Sequence, residues 1–233
     1  PAPRLDARPV ARITLGPGGV PDPLFAGAAA RRSTKRPFDM ARPVTSGQIE
    51  GLAAAIPAPV RFGAATAPEA VAPLRDLAWT AWQVEAATPA AHGESVALMR
   101  LGRAAVAAAP DGISIWGPGL EEAIARGELT RESLATPGQP GYGIMVERYR
   151  AMLAATPAMV WLATPDASRG AAFTAGRAWL RLNLAATAIG LALHPVSQAL
   201  QEFPEMAEHY RAAQARLGGG GGTAQMLGRL GHA

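Results

Sequence analysis

Apolar and polar positions follow two different periods along the chain, and each period predicts one kind of element. Short apolar or alternating stretches predict strands at 9–15, 59–66, 158–164 and 224–233. Helical spacing predicts longer elements over 68 to about 108 (with a break near Pro89), 144–155, 168–194 and 204–217. Helices therefore outnumber the strands and surround them, which predicts an α+β fold.

Local signals refine the ends of these elements. Asp22 before Pro23 predicts the start of a helix that runs to about Arg31. Thr45 and Gln48 have the spacing of a capping box ahead of a second short helix. The five glycines at 218–222 predict a flexible link.

The helix predicted over 168–194 differs from the others in its pattern. Its apolar residues extend nearly all the way round, with Arg177 and Arg181 as a single charged stripe. Such a helix is expected in the middle of a protein rather than on its surface. We expect it to end at His194, before Pro195.

Composition excludes several functional classes. The chain has 233 residues, 49% of them apolar, and no run of 18 apolar residues, which argues against a transmembrane helix. Cysteine is absent, so disulfides, thiol catalysis and thiolate metal sites are excluded, and the four histidines lack metal-ligand spacing. Basic residues are scattered except for the cluster at 31–36, which has none of the interleaved aromatic residues of a single-strand nucleic-acid surface.

That basic cluster is the first candidate site. Arg31, Ser33 and Lys35, the only lysine, are two residues apart and would point the same way on an extended chain. A guanidinium, a hydroxyl and an ammonium together suit the oxygens of a phosphate monoester. Alternatively, these cations only complement the dipole at the end of the preceding helix. Spacing alone leaves both open and slightly favours the second.

The second candidate site follows the long apolar helix. A turn after a helix that ends at a proline has free backbone amides, which suit a planar polar ligand. The turn contains Pro195, Ser197 and Gln198. His194 could act as a general acid, or it could be a helix cap or a packed core residue. No catalytic residue and no metal ligand is assigned from the sequence.

Three separated stretches resemble one family, the flavin-dependent nitroreductases. They are ARRSTKRPFD at 30–39 with PVTSGQIEGLAAA after it, AGRAWLRLNLAATAIGLALHPVSQ at 175–198, and AQMLGRLGHA at 224–233. The resemblance implies a nitroreductase-like α+β fold, with a central, mostly antiparallel sheet flanked by helices around a long buried helix. It also implies a single domain over 1–233, complete or partial, with a loop-rich insert at about 109–142.

The resemblance assigns residues to an FMN site. It implies that Arg31, Ser33 and Lys35 bind the FMN phosphate, with Arg32 contributing backbone or packing. It implies that the flavin ring lies beside a second set of residues: Pro195, Val196, Ser197 and Gln198. The implied activity is hydride transfer from NAD(P)H through flavin N5 to a nitroaromatic or quinone-like acceptor, and the implied assembly is a homodimer.

The chain departs from the family pattern at two places. Arg36 and Pro37 stand where the family has one residue before Phe38, and IPAPVRFGA at 56–64 stands where the family has S-x-x-N-x-Q-P-W. The segment HGESVALMRLGRA with PDGI after it also resembles a branch with two nitroreductase-like halves in one polypeptide. Some members of that branch have twin-arginine leaders and some store flavin. On that interpretation, this chain is the C-terminal half to two-thirds of a pseudo-dimer, and its compartment, cytoplasmic or exported, stays open.

The sequence is therefore compatible with three functions. The first is an FMN-dependent oxidoreductase of nitroreductase type. The second is a non-catalytic FMN-binding protein in which the 109–142 insert covers the flavin. The third is a helical interaction domain without flavin, in which the basic cluster is surface charge.

Overall fold

A computed structural model describes Pro9 and residues 12–233, and its elements are numbered here in chain order. The strands are β1 (Arg61–Ala65), β2 (Met99–Leu101), β3 (Ile113–Ile115), β4 (Ala158–Thr164), β5 (Ala192–Pro195) and β6 (Thr223–Gly231). The helices are α1 (Ser46–Ala54), α2 (Pro68–Ala87), α3 (Pro89–Ala97), α4 (Arg103–Ala108), α5 (Leu120–Ala125), α6 (Arg131–Ala135), α7 (Pro140–Ala154), α8 (Arg169–Ala188) and α9 (Ala207–Leu217).

The central sheet has the strand order β1-β4-β6-β5, and each of these pairs is antiparallel. Three of the strands were predicted, and the bounds of β4 agree with the predicted 158–164 to the residue. Helices cover both faces of the sheet. The predicted α+β class, with a mostly antiparallel sheet flanked by helices, is therefore confirmed.

Alternation along the strands divides the core in two. On β4, Met159 packs with residues of α2, α7 and α9, whereas Val160 packs with residues of α1 and α8. On β6, Leu227 belongs to the first cluster and Leu230 to the second. Residue 229 therefore lies on the α2–α7–α9 face, because side chains two apart on a strand share a face.

The long helix α8 is shorter than predicted. It ends at Ala188, and Gly190 has φ +74°, a left-handed conformation that stops a helix. His194 and Pro195 consequently lie in strand β5 and not at a helix end, so that prediction is wrong. Burial on every side holds only over 182–186, since Phe173 and Leu180 are about half exposed.

The N-terminal predictions are met in part. Val10 and Ala11 of the strand predicted over 9–15 lie outside the described residues, and residues 12–15 form no strand. Asp22 does cap the next element, accepting a hydrogen bond from the Leu24 amide at 3.0 Å, but that element is a 3-10 turn over Pro23–Gly27. The capping box of Thr45 and Gln48 is confirmed at the start of α1.

Residues 99–135 form a small subassembly beside the sheet. The helical stretch from residue 68 breaks at Thr88, close to the expected Pro89, but β2 then interrupts it and pairs in parallel with β3. The segment 109–142 contains β3, α5 and α6, and it shares a third apolar cluster with Val96 and Met99.

The glycine run at 218–222 is a folded turn, so the prediction of a flexible link is wrong. The Arg61 guanidinium donates to the carbonyl oxygens of Gly218 and Gly219. The turn needs glycine because three of its residues have positive φ: Gly219, Gly220 and Gly221. Among the described helices, none is long and apolar enough to cross a membrane.

Candidate functional site

The structure brings the two candidate sites together, although 160 residues separate them in the sequence. Ser33 forms a parallel bridge with Leu193, and the Thr34 amide donates to the Leu193 carbonyl oxygen at 3.2 Å. The segment 31–36, named here the basic segment, therefore runs along the free edge of β5. Because the bridge is parallel, the basic segment runs from Ser33 to Lys35 in the direction in which β5 runs to Pro195.

Arg31 and Arg32, which begin the basic segment, have side chains in different environments. The Arg32 guanidinium turns back on the preceding turn and donates to the carbonyl oxygens of Ala29 and Arg31, both at 2.7 Å. This contact matches the helix-end alternative, because a cation here neutralises exposed carbonyl groups. The Arg31 side chain is half-buried.

Ser33 and Lys35 both remain accessible from solvent at the sheet edge. Desolvation by the surrounding protein lowers the pKa of the Lys35 ammonium. Because Lys35 is exposed at the surface, solvent screening limits this effect. The two residues thus offer a hydroxyl and a cation at the same edge.

A further cation, Arg229 of β6, lies behind the basic segment and is fully buried. Its Nε donates to Thr156 Oγ1 at 2.9 Å, its Nη2 donates to the Arg36 carbonyl oxygen at 2.9 Å, and its guanidinium lies 4.3 Å from the centre of the Phe38 ring. Its Nη1 is buried without a protein partner. Sequence reasoning missed this residue; its only signal was one charged residue within an apolar strand.

Phe38 and Asp39 anchor the end of the basic segment. The Phe38 amide donates to Ala155 O at 3.1 Å, and the Asp39 amide donates to His232 O at 2.9 Å. Phe38 packs so closely on Gly231 that an added Cβ there would lie 2.8 Å from the ring. Backbone bonds on both sides of Arg36 therefore fix the course of the basic segment over Arg229.

His194 is the register partner of Arg229, so the two side chains lie opposite each other on one face of the sheet. Burial, with Arg229 and then Lys35 as neighbouring cations, lowers the pKa of the imidazole to about 3. His194 is therefore neutral at physiological pH. This state does not suit a general acid, and its buried Nδ1 has no protein partner.

The turn after β5 is held mainly by strand β6. Val196 is fully buried and its amide donates to Leu227 O at 2.9 Å. The Ser197 hydroxyl accepts from the Leu227 amide and donates to the Leu227 carbonyl oxygen, both at 3.0 Å. The buried Val196 side chain, the Val196 amide and the Ser197 hydroxyl are thus occupied within the protein.

Gln198 links this turn to an aromatic stack. Its Oε1 accepts a hydrogen bond from the Tyr149 hydroxyl at 3.0 Å. The Tyr149 ring stacks on Trp82 at 4.7 Å between centroids, and Trp82 stacks on Trp79 at 5.4 Å. The Trp79 and Tyr149 rings pack at the rim of the first core cluster. The arrangement fixes the Gln198 side chain and directs its amide nitrogen away from Tyr149.

The subassembly formed by residues 99–135 reaches the basic segment at one turn. A Cβ placed on Gly117 would lie 3.9 Å from Nη2 of Arg36. The neighbouring Trp116 ring is covered by the Arg103 guanidinium at 4.4 Å. The turn at 116–119 therefore borders the candidate site.

The donor set around the basic segment suits a phosphate group. Across residue 9 and residues 12–233, no carboxylate forms an ion pair with Arg31, Lys35, Arg36 or Arg229. Uncompensated cations, a free hydroxyl and the orphaned Nη1 together fit the phosphate of FMN. No group of histidines and carboxylates in this part of the chain could hold a metal.

A shallow cleft lies elsewhere, near the start of the described chain. It has a volume of about 570 Å³ and none of the predicted site residues lines it. Its walls are residues 20–24, Ala54, Ala55 and Arg181. The predicted site is therefore an accessible edge of the sheet, distinct from this cleft.

Comparison with solved structures finds similar folds among flavoproteins. The chain is similar to a nitroreductase with bound FMN from Bacteroides fragilis, at 16% identity and a TM-score of 0.48, over 91% of this chain and 89% of that chain. It is similar to the FMN-dependent nitroreductase NfnB from Mycobacterium smegmatis in complex with NADPH, at 17% identity and 0.49, over 90% and 89%. It is also similar to an iodotyrosine deiodinase bound to FMN and 3-iodo-L-tyrosine, at 13% identity and 0.47, over 90% and 89%.

Sequence comparisons add no closer relative. No known family profile matches the chain, and no curated protein sequence matches it.

Proposed function

We propose that this protein is an FMN-dependent oxidoreductase of nitroreductase type, which passes hydride from NAD(P)H to a nitroaromatic or quinone-like acceptor. One observation supports this most strongly. Two of the three stretches in which the sequence resembles nitroreductases meet at the bridge between Ser33 and Leu193. A charge cluster that served only to interact with solvent would not need this contact with the strand that leads into the turn after Pro195.

One set of residues is proposed to bind the phosphate of the cofactor. Arg31, Ser33 and Lys35 bind the phosphate through charge-assisted hydrogen bonds. Arg32 keeps the preceding turn folded through its bonds to Ala29 O and Arg31 O.

A second set of residues meets the flavin ring. It consists of Pro195, Val196, Ser197 and Gln198. Of these, Ser197 supports the turn from behind through Leu227, while the backbone of the turn and the Gln198 amide nitrogen face the ring.

The protein itself supplies no proton or nucleophile in this proposal. FMN, when bound, supplies the hydride chemistry at its N5 atom. The neutral imidazole of His194, with its pKa near 3, remains a packing group. The chain therefore binds, orients and tunes the cofactor. The acceptor specificity is determined by the surface that adjoins the turn after β5.

A paired substitution tests the phosphate contacts. Arg31→Ala with Ser33→Ala should weaken FMN binding by about 2–5 kcal/mol, because two charge-assisted contacts are lost. The measurement is FMN affinity from quenching of flavin fluorescence, with exposed Arg148→Ala on α7 as the control. Equal FMN affinity in the double variant and the control would support the interaction-domain alternative.

The second candidate is a non-catalytic FMN-binding protein. The proximity of the 116–119 turn to Arg36 favours it, since this turn could hinder access to bound flavin. Anaerobic addition of excess NADH or NADPH separates the two functions: an oxidoreductase loses its flavin colour, whereas a storage protein keeps it. If Trp116→Ala then restores reduction, the turn is the barrier; if not, the barrier lies elsewhere.

We further propose that the protein acts as a homodimer, or as a pseudo-dimer with a second nitroreductase-like half. Exposed Phe173 and Leu180 lie seven residues apart on one side of α8. A partner subunit would cover these side chains. This assembly is tested below.

A further inference from the structure

Arg229 is a buried cation without a counter-charge. Its side chain is fully buried, and its contacts are a hydroxyl, a carbonyl oxygen and an aromatic ring, all of them neutral. Burying a charge is unfavourable unless an opposite charge and hydrogen bonds compensate it. Burial accordingly lowers the pKa of this guanidinium to about 9, which still leaves it charged at neutral pH.

The orphaned donor of Arg229 belongs to a cationic neighbourhood. Nη1 has no partner within the described chain, whereas Nε and Nη2 are both bonded. Nη2 donates a hydrogen bond to the backbone of Arg36. The charges of Arg229 and Lys35 both contribute to the lowered pKa of His194, the register partner of Arg229. The guanidinium therefore lies beneath the basic segment, and its Nη1 donor is not used by the described protein.

We propose that Arg229 is a further ligand of the phosphate group and supplies its buried counter-charge. This inference rests on the proposed FMN site. A phosphate monoester carries close to two negative charges at neutral pH, and Lys35 and Arg31 at the rim neutralise it from the solvent side. Arg229 neutralises it from the interior and holds Arg36 in place at the same time.

A structural role alone makes a different prediction. If Arg229 only tied Thr156 and Arg36 together, its loss would destabilise the fold and weaken binding of flavins with and without phosphate alike. If it binds phosphate, its loss weakens FMN binding and leaves riboflavin binding unchanged. The ratio of the two affinities separates these roles.

The experiment measures FMN and riboflavin affinities of the full chain by fluorescence titration. Arg229→Met removes the charge and retains most of the side-chain volume. We expect the FMN-to-riboflavin affinity ratio to fall about 10- to 100-fold, the value of one charge-assisted contact. Arg131→Met is the matched control, because Arg131 likewise donates to backbone carbonyl oxygens, those of Val96, Ala97 and Met99.

A second variant and a second probe distinguish a loss of phosphate binding from misfolding of the Arg229→Met variant. Arg229→Lys keeps a charge but loses the forked donor geometry, so the ratio should fall several-fold. Inorganic phosphate should raise the melting temperature of the wild type more than that of either Arg229 variant. An unchanged ratio in a folded Arg229 variant that still binds FMN overturns this inference and leaves the proposed function intact. Failure of the wild type to bind either flavin overturns both.

Discussion

At the scale of single residues, the candidate site depends on where charge is buried. Arg229 and His194 lie opposite each other on β6 and β5, and burial keeps the imidazole neutral while the guanidinium stays charged. The sequence indicated Arg31, Ser33 and Lys35 because a guanidinium, a hydroxyl and an ammonium stand two residues apart in one short stretch. It could not indicate Arg229, since pairing of β5 with β6 brings that residue under the basic segment only in the folded chain.

The buried imidazole predicts sensitivity to acid. The pKa of His194 is about 3 in the folded protein against 6.5 ordinarily. Below pH 6.5 the unfolded chain therefore binds a proton that the folded chain excludes, so the free energy of unfolding decreases as pH falls towards 3. The contribution of this residue is about 1.4 kcal/mol per pH unit within that window.

His194→Gln removes this titration. Urea unfolding at pH 7.5 and at pH 4.5 should show that the variant loses less stability on acidification than the wild type. Carboxylates contribute to both proteins equally, so the difference between them isolates His194. A wild-type-minus-variant difference that is the same at both pH values would contradict the account.

At the scale of elements, the basic segment gains its shape from its neighbours. It bonds to Leu193 of β5 through the Thr34 amide and to Arg229 through the Arg36 carbonyl oxygen, and Phe38, which follows it, bonds to Ala155. The close contact of Phe38 with β6 depends on the absence of a side chain at Gly231.

Gly231→Ala should disturb this element. An added Cβ would lie 2.8 Å from Phe38, so the ring must move, and we expect a loss of about 1–3 kcal/mol in the free energy of unfolding. FMN binding should weaken as well, because Phe38 anchors the basic segment. Gly51→Ala in α1 is the control: that position has open space around it, and the substitution should stabilise the helix by about 0.5–1 kcal/mol. Equal stability of the two variants would refute this packing argument.

The elements also mark the limit of what the sequence could predict. Strand β4 and the capping box at Thr45 follow from local patterns and were found. The end of α8 was missed because Gly190 stands alone within an apolar run, so the apolar pattern continues without a break to His194. The glycine run at 218–222 was misjudged because its partner, Arg61, is more than 150 residues away along the chain.

At the scale of the whole molecule, one sheet between two helical layers leaves α8 with an apolar outer side. Phe173 and Leu180 are 52% and 50% exposed, more than a packed core helix would allow. The resemblance to nitroreductases implies a subunit interface, and this side of α8 is our proposal for it.

Phe173→Glu with Leu180→Glu should convert a dimer into a monomer, because charges on both residues cannot be buried in an apolar interface. Light scattering coupled to size-exclusion chromatography measures the mass directly. Leu98→Glu, at a site 48% exposed after α3, is the control and should leave the assembly unchanged. A wild-type protein that is monomeric at all concentrations would contradict the homodimer proposal.

In our proposal, the basic segment along β5 binds the phosphate of a flavin nucleotide. The most direct measurement is the visible absorbance spectrum of the protein after saturation with FMN and removal of free flavin. The account predicts an oxidised-flavin spectrum with about one FMN per chain, and FMN alone in the mass spectrum of the released chromophore. A colourless protein would contradict it.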